Sequence, residues 1–370
     1  MTRPLPSHSI LVATACAILS LGACSSSPAE HPSPWLTLGN TPEEQSSALL
    51  TTVLDPALPG CSAAVAREGS VVWADAVGSG DLQSGSALTT STKFDLASNS
   101  KHITGMAILL LVHDGDIDLD APVAMYLPQA GPWAASTTVE QLLHHTSGLP
   151  EYVNLLEQEG LDIADPASQA QAMATVADAS TPPAPLPWAY SNTNYTALAD
   201  IVEAVSGQPF AEFVRQRLFA PEDSALVIDP LAAYPEIAAR YHDRDAAARA
   251  LTVGWDVVGD GGAIGTPTDL AEWIDVMRTG LPDDPMIADA MLAGAVDVPD
   301  SPGTTYGAGL FIAPDGFVWH TGDWEGHASY LGMSADRSTS VAIACNFDQA
   351  DAEFPTILQG LTAIWYAPSE

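Results

Sequence analysis

The sequence predicts a mixed α/β (α+β) fold: an antiparallel sheet flanked by helices, with an all-helical lobe inserted between its first and last strands. Three observations predict it. Strand-like runs lie near both ends of the chain, and the middle from Ser98 to about Thr268 carries mostly helical patterns. A last apolar run, FPTILQGLTAIWY, closes the chain as a helix. Strands at two ends that enclose a helical middle are best satisfied by one sheet built from both termini. The 370 residues suffice to bury a large core, no internal repeat is evident, and residues 41–370 read as one domain.

The elements follow in order. In TPEEQSSALLTTVL, Thr41 caps a helix, Pro42 suits its first turn, and Glu44, three residues past the cap, completes a capping box. CSAAVAREGSVVWADAVG holds two β-like runs around a Glu68-Gly69 turn and reads as a hairpin. After the helical middle, with its long Pro/Asp/Gly-rich connections, strands return at YGAGLFIAP, GFVWHTG, ASYLGMSA and STSVAIACNF. Cys61 and Cys345 both fall in strand-like runs; a disulfide and two buried thiols are both open readings.

Charge excludes several functions. Eleven basic residues against 46 acidic ones give a net charge of −35, which repels DNA, RNA and anionic membrane surfaces. Such acidity keeps an extracytoplasmic or salt-exposed protein soluble. No Cys/His spacing fits zinc. DGDIDLD (Asp114 to Asp120) alternates carboxylates, but Leu119 replaces the sixth-position glycine of a calcium loop and Met125 the twelfth-position ligand. It reads as a helix exit and surface turn. No phosphate loop occurs, so neither metal nor cofactor is expected. His144-His145 read as a structural helix end, and Arg240, Arg244 and Arg249 as the solvated face of a helix-like segment.

The N-terminus reads as a targeting segment. Arg3 supplies a positive region, Ile10 to Leu21 an apolar run too short to span a bilayer, and LGAC ends at Cys24. Small residues before a cysteine resemble the lipobox of bacterial lipoproteins. That resemblance implies removal of residues 1–23, lipidation of Cys24, a flexible tether over 24–40, and an extracytoplasmic protein anchored to the cell membrane by its lipid.

The chemistry centres on one lysine. The chain has only Lys93 and Lys101, and Lys101 lies three residues after Ser98 at the start of an apolar helical run. The i, i+3 spacing puts both side chains on one face of a first helical turn, where free N–H groups favour a developing oxyanion. Serine needs a base within hydrogen-bond reach to act as a nucleophile, and a lysine desolvated by Phe94, Ile103 and Met106 loses its proton more easily. Lys93 has no such geometry and reads as a surface residue. Tyr190-Ser191-Asn192 follows a Pro-rich loop, and His320-Thr321-Gly322 ends a strand-like run where glycine permits a close approach by substrate.

SxxK (Ser98 to Lys101), YxN (Tyr190 to Asn192) and HTG (His320 to Gly322), in that order, resemble the serine β-lactamase and penicillin-binding DD-peptidase superfamily, in its class C-like, D-Ala-D-Ala carboxypeptidase and esterase branch. LLHHTSGLP, PWAYSNTNYTALADIVEAVSGQPFAEFV and GGAIGTPTDLAEW extend the resemblance over Pro42 to Asn346. It implies a β-lactamase/transpeptidase-like fold and an acyl-enzyme on Ser98, with Lys101 as base and Tyr190 as proton shuttle. It implies also that Asn192, His320, Thr321 and Gly322 bind substrate, and that the Ser98 and Asp323 backbone N–H groups form the oxyanion hole. Substrates would be D-Ala-D-Ala peptides or other D-residue amides, small esters or β-lactams. Histidine in place of the more usual lysine of KTG, and the lack of a Glu-x-x-x-Asn loop, weaken a lactamase reading more than a hydrolase one. A non-catalytic alternative is a surface lipoprotein that binds peptidoglycan fragments in the same cleft.

Overall fold

Helix α1 (Pro42–Val53) precedes a hairpin of β1 (Cys61–Arg67) and β2 (Ser70–Val77). The helical lobe includes α2 (Ser100–His113), α3 (Val139–Leu143) and α4 (Asn192–Ser206), and α5 (Pro267–Trp273) leads back to the sheet. Then come β3 (Val296–Asp297), β4 (Thr305–Tyr306), β5 (Phe311–Ile312), β6 (Val318–Trp324), β7 (His327–Met333) and β8 (Thr339–Cys345), and finally α6 (Glu353–Trp365). This computed structural model describes residues 34–178, 186–232 and 234–366; the expected signal peptide, Cys24 and the tether up to residue 33 lie outside them.

The eight strands form one antiparallel sheet in the order β3-β4-β5-β6-β7-β8-β1-β2, so the last strand pairs with the first, as two-ended strand patterning requires. Glu68 and Gly69, both at positive φ, make the predicted β1–β2 turn. Cys61 and Cys345 lie opposite each other in the β1–β8 ladder and are disulfide-bonded, which settles the open pairing. The YGAGLFIAP run is two short strands rather than one.

α1 and α6 pack together. Trp365 Nε1 donates to Ser46 Oγ (2.8 Å), Trp73 Nε1 donates to Ser47 Oγ (3.1 Å), and a Cβ on Gly360 would lie 2.4 Å from a Leu49 methyl carbon. The capping box forms by half. Thr41 Oγ1 accepts from the Glu44 N–H, but the Glu44 carboxylate accepts from the Asn40 N–H (2.8 Å), one residue before the cap. α2 runs through the centre, buried from Ser100 to Leu111, as an all-round apolar helix must be.

The arginine expectation fails for two of three residues. The segment carrying them forms no helix. Arg240 bonds Asp95 (2.7 Å) and the Trp324 carbonyl (3.1 Å), and Arg244 bonds Glu353 (2.6 Å) and the Pro59 carbonyl (2.8 Å). A helical pattern of alanines and charges lost here to long-range ion pairing; only Arg249 is exposed.

Candidate active site

Ser98 sits in a 3₁₀ turn (Ala97–Asn99) that runs directly into α2. Ala97 adopts φ 49°, a strained conformation of order 1–3 kcal/mol for a non-glycine residue. The turn is tied down on both sides. Asp95 accepts from the Ala97 N–H (2.8 Å), Ser329 Oγ donates to the Leu96 carbonyl (2.6 Å), and Asn99 Nδ2 donates to Ser329 Oγ (2.8 Å). Gly322 of β6 lies against the same turn, where a Cβ would meet the Leu96 carbonyl oxygen at 2.3 Å. The HTG glycine therefore serves close packing of the turn that carries Ser98.

Lys101 is fully buried one helical turn beyond Ser98. Its Nζ donates to Ser98 Oγ (2.9 Å), Asn192 Oδ1 (2.7 Å) and the Asp260 carbonyl (2.8 Å). Burial lowers its pKa to about 8, against the opposing pull of Asp260 and Glu151. Lys93, by contrast, is half-buried and lies over the Tyr234 ring.

Tyr190 is brought to the pair, its ring centroid 5.0 Å from Lys101 Nζ. Burial pushes its phenol well above the usual range, and the adjacent Ser98 hydroxyl opposes that rise, so it stays protonated. His145 supports it from beneath, with ring centroids 4.5 Å apart. His145 has φ 55°, and its Nδ1 meets Asn194 Nδ2 (2.9 Å) and the Ser191 N–H (3.3 Å). Only His144 is the helix end expected of the pair, as the C-cap of α3.

Three carboxyl and phenol groups near Lys101 escaped the sequence reading. Glu151 accepts from the Asn192 N–H (2.8 Å) and so caps α4, whose own N-cap Ser191 makes no side-chain cap. Burial raises its pKa, as it does that of Asp260. Asp260 Oδ2 accepts from the Tyr152 hydroxyl (3.0 Å). Glu151 directly follows LLHHTSGLP and Asp260 directly precedes GGAIGT, so their position beside motif stretches was the available signal.

A cleft of about 440 Å³, its solvent mouth included, is lined by Ser98, Asn192, Asp260 and Asp323, with Tyr152, Trp255 and Trp324 as its aromatic walls. His320 and Thr321 are buried and are not among the lining residues. His320 Nδ1 meets the Thr321 carbonyl and Nε2 the Tyr306 hydroxyl (3.3 Å); burial and then Lys101 hold its pKa at about 3, so the ring is neutral. Among the described residues no group of His, Cys, Asp and Glu could hold a metal.

The family model described as Beta-lactamase matches residues 47–363. The chain belongs to the beta-lactamase family. It is 34% identical over 226 residues to Esterase EstB of Burkholderia gladioli, a match covering 53% of this chain and 55% of the esterase. It is 28% identical over 305 residues to a D-aminopeptidase of Brucella anthropi, covering 78% of this chain and 56% of that enzyme. The match thus spans just over half the length of each. Among solved structures, a penicillin-binding protein homologue from Pyrococcus abyssi superposes with a TM-score of 0.74 at 23% identity, over 86% of this chain and 76% of that one. A D-stereospecific amidohydrolase from Streptomyces sp. does so with a TM-score of 0.67 at 25% identity, over 84% and 96%. The mixed fold of an antiparallel sheet with helices is that of the family.

Proposed function

We propose that the chain is a serine hydrolase that works through an acyl-enzyme, acting on D-residue peptides or amides, with small esters as the second substrate class and β-lactams third. The observation that carries this reading is the 2.9 Å contact of a desolvated Lys101 amine with Ser98 Oγ, where Ser98 lines a cleft open to solvent. Ser98 Oγ attacks the carbonyl carbon and its proton passes to the Lys101 amine. Tyr190 delivers a proton to the departing amine or alcohol as that bond breaks and takes back the one that Lys101 received, which restores the neutral amine for the next step. Water then cleaves the acyl ester, releasing the acid and restoring the Ser98 hydroxyl. The Ser98 and Asp323 N–H groups would hold the oxyanion, and Asn192, fixed by Lys101 and Glu151, would orient the substrate's amide. His320 and Thr321 support the substrate wall from behind.

The relatives' printed activities, esterase and D-aminopeptidase, support the same chemistry. A binding protein without catalysis gains nothing from a base hydrogen-bonded to a serine. The Cys61–Cys345 disulfide favours an oxidising compartment, which supports the extracytoplasmic, Cys24-lipidated reading.

One preparation tests both parts. A fluorophosphonate should label Ser98 in the full-length protein recovered from membranes, and Ser98→Ala should abolish the adduct by mass spectrometry. Cys24→Ala should move the labelled protein to the soluble fraction. No adduct from either a fluorophosphonate or a fluorescent penicillin would defeat the hydrolase reading, and unchanged membrane partition would defeat the anchor.

A further inference from the structure

The polarity of the cleft is one-sided. Among the described residues that line it there is no lysine, arginine or histidine, and there are three aspartates. Both nearby cations are already committed. The three N–H donors of Lys101 go to Ser98, Asn192 and the Asp260 carbonyl. Arg240 donates to Asp95 and the Trp324 carbonyl. A substrate carboxylate would therefore enter without a cationic partner.

The aspartates differ. Asp95 is spent on the Ala97 N–H and Arg240. Asp260 is only 8% exposed, and its carboxyl accepts from the Tyr152 hydroxyl and lies within hydrogen-bond reach of Thr196 and of its own N–H, so it faces the cleft as a held, partly shielded acceptor. Asp323 keeps an exposed face at the mouth, one residue beyond HTG, and its one hydrogen bond among the described residues is a long 3.5 Å approach from the Gln349 N–H. Burial of its carboxyl and then Asp348 raise its pKa to about 7, so it is part-ionised at neutral pH and gains its full charge when a cation docks beside it. Tyr152, Trp255 and Trp324 add aromatic faces, which attract cations further.

We propose that the cleft selects its acyl donor by positive charge: the substrate is an amide, peptide or ester carrying a free ammonium group near the scissile carbonyl, docked against Asp260 and Asp323, and not one carrying a carboxylate. This rests on the acyl-transfer reading of Ser98 and separates an aminopeptidase-type substrate from a carboxypeptidase-type one.

The test is competition at pH 7, where an α-ammonium is still mostly protonated. Fluorophosphonate labelling of Ser98 is timed in the presence of phenylalanine amide, its N-acetyl derivative (neutral) and its N-succinyl derivative (anionic), each as both enantiomers. The free ammonium compound of the preferred hand should protect at a concentration at least about tenfold below its acetyl counterpart, and the succinyl compound should protect least. Salt at about 0.5 M should shrink the gap. Asp260→Asn and Asp323→Asn should each cut the ammonium-to-acetyl ratio at least about threefold, a ratio taken within each variant so that a general loss of labelling cancels. Equal or better protection by the acetyl or succinyl compound overturns the proposal while leaving the hydrolase reading intact, as does no protection by the free amine. Failure of labelling without competitor strikes the hydrolase reading itself.

Discussion

The SxxK turn and the HTG strand meet at one point, where Gly322 lies against Leu96 and Ala97, yet they hold their ionisable groups in opposite ways. Lys101 is buried but keeps three polar acceptors and two neighbouring carboxyl groups, so its pKa falls only to about 8 and both of its forms are reachable. His320 is buried among Tyr190, Tyr306 and Phe311 with no carboxylate near enough to offset desolvation, and its pKa falls to about 3. Equal burial thus makes a usable base in one place and a permanently neutral ring in the other. What decides is chiefly the starting point, 10.5 for a lysine against 6.5 for a histidine, with Asp260 and Glu151 offsetting part of the lysine's fall while Lys101 deepens the histidine's.

The largest expected effect tests the first half of that contrast. Lys101→Arg keeps the positive charge and several hydrogen bonds but removes the ability to reach a neutral form. kcat/KM on any accepted substrate should fall by about 10³-fold, within the range for loss of a general base. Circular dichroism and thermal unfolding should show whether the larger guanidinium is accommodated. A well-folded Lys101→Arg protein with more than about a tenth of the wild-type activity would mean that Lys101 acts only as a charge.

This division also explains what the sequence could show. Ser98 and Lys101 were legible because their relation is local: i, i+3 on one helical turn fixes the contact whatever the rest of the chain does. The sheet was legible because strand patterning at both ends leaves few ways to pair. Glu151, Asp260 and His145 gain their roles only when distant segments converge on Lys101 and Tyr190, and no local pattern encodes that convergence. The Arg240 stretch misled for the same reason. Its partner Asp95 is 145 residues away, and an alanine-rich run with spaced charges looks like a solvated helix until that partner is known.

Arg240 supplies the intermediate effect. It joins Asp95, just before the Ser98 turn, to Trp324 at the end of β6, and so holds the two halves of the contrast in register. Its removal leaves the buried Asp95 carboxylate without its cation. Arg240→Ala should destabilise the fold by about 3 kcal/mol, the low end for breaking a buried pair, because 12% of the Arg240 side chain remains exposed. Chemical denaturation measures it. A loss under about 1 kcal/mol would make the pair no different from a surface ion pair.

The smallest effect concerns His320 and pH. A base acts through its deprotonated form, so with the Lys101 pKa lowered to about 8, kcat/KM should climb as pH rises through about 8 and level off above it. His320, already neutral throughout that range, should contribute no limb of its own. His320→Gln keeps a polar side chain beside Tyr306, and its kcat/KM should fall less than about tenfold with the midpoint of the profile unmoved. A midpoint displaced by more than about half a pH unit would show that His320 titrates with the site. A positive charge on the HTG strand would then be present beside the cleft, and the charge preference assigned to it would lose its footing.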